Sequence, residues 1–134
     1  MQKQTLRLCL SVFIGSLVVL GVLAWASYSY HLFYLIRWLD KVLHIVGGFS
    51  IGALAFVVSA FWEEGSYNRQ HVLLTLVLLT LMIGIGWEAL EFNMGRFTGD
   101  LMRSGALDTA TDLFADVIGA LCAFYVLHGR VRNG

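Results

Sequence analysis

Four apolar runs, residues 8–26, 42–62, 72–92 and 107–127, each supply about the 20 residues that a helix needs to cross the hydrocarbon core of a bilayer. They predict an all-α, polytopic membrane protein: four transmembrane helices in a bundle, forming a single domain over residues 1–134. The composition agrees, with 58% hydrophobic and 13% charged residues, where a soluble domain is about half apolar and a quarter charged. The first run follows Lys3 and Arg7, as the core of a signal peptide would. No small-x-small cleavage site leads into a soluble domain, and further apolar runs follow, so this run is expected to stay as a span. The chain has no proline, so no helix is expected to kink at one.

The connections differ in character. Residues 28–39 are short and rich in aromatics, suited to lying among the lipid headgroups. Residues 63–70 read as a polar turn, and 93–106, with Gly95, Gly99 and Gly105, as a flexible charged loop. With four crossings, Lys3, Arg7, Arg69, Arg130 and Arg132 share one side, and Arg37, Lys41, Arg96 and Arg103 the other. That one-charge excess narrowly favours cytoplasmic termini for a multi-pass protein. Net charge is zero, without a basic block, which excludes nucleic acid as a partner. Membrane lipids are the expected surroundings, with a larger membrane complex or a homo-oligomer as possible company. Cys9 and Cys122 sit in apolar sequence without C-x-x-C spacing or histidine neighbours and are expected to be buried, inert thiols. Gly48-x-x-x-Gly52 in the second run is a small-residue face on which helix backbones can approach closely.

The polar residues within the spans carry the functional information. Asp108, Asp112 and Asp116 recur every four residues, which stacks them on one helix face as a ladder roughly 12 Å long. Asp40 and His44 open the second span, while Glu88 and Glu91 close the third. An even number of crossings brings all of these to one membrane face. Six of the chain's nine acidic residues gather there, beside Arg37, Lys41, Arg96 and Arg103. Asp40 and Asp108 are also placed to cap their helices. Glu88 and Glu91 could reach the interface and pair with Arg96, and His44 could simply hydrogen-bond a neighbour. Asp112 and Asp116 lie deeper than any cap. Ionised together, such carboxylates repel strongly, and protons, basic partners or a bound cation must relieve them. One histidine with several carboxylates on three helices suits a divalent cation such as Mg2+, Mn2+, Fe2+ or Zn2+. The candidate ligands are His44, Glu88, Glu91, Asp108, Asp112 and Asp116.

Asp40-Lys41-Val42-Leu43-His44, Glu88-Ala89-Leu90-Glu91, and Asp108-Thr109-Ala110-Thr111-Asp112 with Asp116 and Gly119 resemble the motifs of VanZ-like membrane proteins. They are more similar still to the related family of predicted inner-membrane proteins called DUF2238. The likeness covers roughly residues 40–122. VanZ-like chains typically carry Gln where Glu91 stands and Asn where Asp116 stands, so this site is the more acidic. DUF2238 members are usually longer. The resemblance implies a helical bacterial membrane protein with a shared acidic site, and no particular reaction.

Three functions follow as expectations. The first is a metal-dependent hydrolase or transferase acting on a lipid-linked or envelope substrate, with the cation activating water. Arg37, Arg96 or Arg103 would grip an anionic headgroup, and residues 93–106 would serve as a lid. The second is an accessory or structural subunit of a larger membrane complex. The third is a proton or cation transporter, since ionisable residues inside a membrane often mark a transport path.

Overall fold

A computed structural model describes residues 3–36, 38–62, 68–98 and 105–132. In chain order it contains α1 (Lys3–Ser29), the single-turn α2 (Leu32–Leu35), α3 (Leu39–Trp62), α4 (Arg69–Thr98) and α5 (Ala106–Arg132). Lys3–Ser29, Leu39–Ala60, Arg69–Met94 and Ala106–Val131 are long and apolar enough to cross a membrane. The architecture is the all-α, four-span bundle expected, and no strand occurs among the described residues.

Each helix overruns the apolar run that predicts it. Water does not compete for backbone groups inside a bilayer, so the helical ladder ends where polar side chains can take over. Asn68 does this for α4. Its Oδ1 accepts hydrogen bonds from the backbone N–H groups of Gln70 (2.9 Å) and His71 (3.4 Å), as a helix cap should. The α1–α2 corner turns through His31, whose φ of 53° lies in the left-handed region. Residues 93–98, expected in a loop, instead continue α4, with Asn93 Nδ2 bonded back to the Ala89 carbonyl at 2.6 Å. Residues 99–104, the middle of the expected lid, lie outside the described residues.

α3 is the hub. Of its most apolar stretch 56% is buried, against 6% for α1. It packs on α5, α1 and α4, and α4 also packs on α5. Among the described residues, α1 and α4 form no packing seam with each other. The α3–α5 contact is the closest because small residues meet there. A Cβ at Gly48 would fall on the backbone of Asp116, and one at Gly119 on the Ile45 carbonyl. A Cβ at Gly52 would sit 2.6 Å from the Ala120 carbonyl oxygen. Without a hydrophobic driving force between helices in lipid, such backbone contact is a main source of association.

The apolar core occupies the half of the bundle nearest the chain ends. Cys9, Phe56, Val72, Leu76, Ala120, Phe124, Leu127 and Val131 are all buried in it. Phe56 and Phe124 stack at 5.7 Å, and the Arg69 guanidinium lies 6.0 Å from the Phe124 ring centroid. Cys122, expected to be buried, is exposed, because it faces outward from α5, where the surroundings would be lipid. The same holds for Val18, Met82, Ile85 and Tyr125. In water so much exposed apolar surface would drive association; against acyl chains it is neutral.

Candidate metal centre

The half of the bundle away from the termini is built differently. Antiparallel packing brings the start of α3, the end of α4 and the start of α5 together, and with them Asp40, Lys41, His44, Glu88, Glu91, Asp108, Asp112 and Asp116. Asp112 and Asp116 face inward, with only 1% and 4% of their surface exposed.

Lys41 meets two rungs of the aspartate ladder. Its Nζ donates to Asp108 Oδ1 at 2.7 Å and to Asp112 Oδ1 at 2.5 Å, with Asp40 Oδ2 at 3.9 Å. Asp108 is the third residue of α5, past the cap position, and its carboxylate belongs to the cluster. Asp40 likewise sits in the first turn of α3, where a negative charge favours the positive helix end. Asp40 and Lys41 are the cluster members absent from the candidate ligands and basic contacts named from sequence. The signal was available: both precede His44 by one helical turn, and residues three or four apart share a helix side.

His44 occupies the third rung. Its Nδ1 lies 3.2 Å from Asp116 Oδ1. In this contact the ring N–H donates and the carboxylate oxygen accepts. Nε2 is the other ring nitrogen. It faces Glu88 Oε1 at 3.8 Å and Asp112 Oδ1 at 3.7 Å, beyond hydrogen-bond range. Glu88 Oε1 is buried and has no hydrogen-bond partner. Glu91 completes the set: ligand atoms of His44, Glu88 and Glu91 all lie within 4.8 Å of one another, as do those of Asp40, His44 and Asp112. His44 is thus shared by two groups of ligand atoms, one of which, with Asp112, is also in contact with Lys41.

Gly84 makes room for this: a Cβ there would sit 2.8 Å from Asp116 Oδ2. Arg37, Arg103 and the side chain of Arg96, the expected headgroup contacts, lie outside the described residues. Gly48 and Gly52 sit one and two turns below His44, on the α3–α5 contact.

A cavity of about 1060 Å3 opens beside the cluster. Asp40, His44, Glu88, Glu91, Asp108 and Asp116 line its polar end, and side chains of α1, α3 and α4 its apolar remainder.

Fold and site together define a four-span integral membrane protein with a buried carboxylate–histidine cluster on one face of the bundle. The chain belongs to the DUF2238 family of predicted membrane proteins, which it matches over residues 2–133. No curated protein and no solved structure matches it. The likeness to VanZ-like proteins rests on the short motifs alone.

Proposed function

We propose that this protein holds a divalent cation at His44, Glu88 and Glu91 and uses it on a lipid-linked or envelope substrate, as a metal-dependent hydrolase or transferase. The observation that carries the reading is the buried Glu88 Oε1, without a hydrogen bond, facing His44 Nε2 at 3.8 Å. Two ligands of one ion with bonds of roughly 2.1–2.3 Å stand about that far apart. Charge supports the same conclusion. Six carboxylates gather around one lysine and one histidine among the described residues, and such an excess in a poorly solvated site calls for a cation or for protons.

Each rung of the aspartate ladder then has a role. Asp116 accepts from His44 Nδ1 and holds the ring so that Nε2 faces the ion, the carboxylate–histidine–metal arrangement common in metal sites. Lys41 pairs with Asp108 and Asp112 and offsets one of their two negative charges, leaving Asp112 at the edge of the ligand set. The ion would activate water or polarise a scissile group, and the cavity beside it would admit the substrate. Transport is the weaker reading. Below Asp116 the buried positions of α5 are Gly119, Ala120, Ala123, Phe124 and Leu127, an apolar lane. Placement in a bacterial inner membrane with cytoplasmic termini would open the site at the outer leaflet.

Elemental analysis of the purified protein tests this. After supply of Mn2+, Mg2+, Zn2+ or Fe2+ and removal of excess, one ion per chain is expected. Asp116→Asn is expected to lower its affinity about 10–100-fold, as loss of an orienting partner does. Protein that stays metal-free with every ion offered would sink the proposal.

A further inference from the structure

We infer that the cleft between α1 and α4 is the seat of one acyl tail of a phospholipid, whose phosphate reaches the cation at His44, Glu88 and Glu91. This names the substrate class of the site and rests on the cation reading above.

The cleft exists because α1 and α4 both pack on α3 and form no seam with each other. Its α1 wall is Phe13, Leu17, Leu20, Ala24 and Tyr28, spaced three or four residues apart and so on one helix side. Its α4 wall includes Ile83 and Trp87. The floor is α3, where a Cβ at Gly47 would lie 3.9 Å from Leu20 Cδ2. Three properties select the occupant. From Phe13 to Tyr28 the cleft runs about 22 Å, at ~1.5 Å per residue. That is longer than half of the ~30 Å hydrocarbon core, so the cleft takes the whole depth of one leaflet. Both walls belong to helices with little burial in the bundle, so a tail reaches the cleft sideways from the bilayer without leaving apolar surroundings. At about 1060 Å3 the cavity is at the upper end of small-molecule sites, which are mostly apolar with a few placed polar groups.

The polar end chooses the headgroup. Its charged lining is acidic apart from His44, and a bare phosphate would be repelled there. A divalent ion reverses this, because a hard cation held by one or two carboxylates takes substrate phosphate oxygens as its remaining ligands. A tail along α1 and a phosphate at the ion place the headgroup beside Tyr28 and Phe33, aromatics suited to the interface. No bond is made or broken in this binding step.

The test uses the full chain in nanodiscs of phosphatidylglycerol and phosphatidylcholine, loaded with MnCl2 and then taken into detergent for native mass spectrometry. The wild type is expected to keep one phospholipid, and EDTA to reduce its retention at least tenfold. Ala24→Trp and, separately, Leu20→Trp fill the cleft. Both are expected to bind Mn2+ at wild-type stoichiometry, with an unchanged thermal midpoint, while retaining at least tenfold less lipid. Full lipid retention by both tryptophan variants with Mn2+ bound would overturn the cleft and leave the cation reading standing. Displacement of the lipid by equimolar inorganic phosphate would also overturn it, as would a wild-type dimer that Ala24→Trp splits, since a second copy would then fill the cleft. Cleft-dependent retention that ignores EDTA in protein without Mn2+ would sink the cation reading while the lipid seat survives.

Discussion

Lys41→Met is expected to lower the stability of the bundle by about 3–5 kcal/mol, the usual penalty for removing one partner of a buried ion pair. Lys41 Nζ donates to Asp112, which is 1% exposed, and to Asp108. Asp108 retains some access to the surface, but Asp112 does not. Without the lysine its charge faces Asp40 and the glutamates in a site with little water, so it must bind a proton or break the packing. A reversible unfolding titration in mixed micelles measures the loss. The second arm is the double variant Lys41→Met with Asp112→Leu. Two apolar side chains in place of a buried pair are often neutral or better, so most of the lost stability should return. A double variant as unstable as the single one would show that lysine packing, and not an uncompensated carboxylate, is what matters.

Gly48→Ala is expected to be worse than its single methyl group suggests. The new Cβ would overlap the Asp116 backbone, and a main chain cannot rotate aside as a side chain can. The two helices must separate, at a cost of at least the ~1–3 kcal/mol of ordinary overpacking. Separation also lengthens the His44–Asp116 contact, now 3.2 Å, so Mn2+ affinity should fall together with stability. Gly15→Ala is the control. Nothing lies within 4 Å of its would-be Cβ, and alanine in a helix interior is favoured over glycine by roughly 0.5–1 kcal/mol. The two substitutions should therefore differ in sign. Equal, mild effects would mean that the α3–α5 crossing is looser than these contacts indicate.

Much of the bundle is legible from residue order because bilayer thickness and helix rise allow few alternatives. Four apolar runs of about the right length give four spans, and the parity of crossings puts His44, Glu88 and Asp112 at one face. Helix periodicity aligns Asp108, Asp112 and Asp116, and small residues mark where α3 is approached. Other features were not legible. Residues 93–98 look like a loop because of Asn93, Gly95 and Arg96, yet they extend α4, since a long helix carries past the membrane edge where its backbone stays paired. Cys122 looks buried because hydropathy does not distinguish a protein interior from a lipid-facing surface.

The choice of partners within the cluster came from packing alone. Lysine, histidine and six carboxylates at one face admit many pairings, and local spacing does not rank them. The close glycine contact fixes how far α5 lies from α3 and at what rotation. That rotation gives Lys41 the first two aspartates, gives His44 the third, and leaves Glu88 Oε1 facing the other ring nitrogen without a hydrogen bond. Residue order therefore settled which helices form and at which membrane face their charges meet, because length and periodicity act along one chain. Which charge meets which, and the cleft left between α1 and α4, depend on distances between helices, and only close-packed atoms set those.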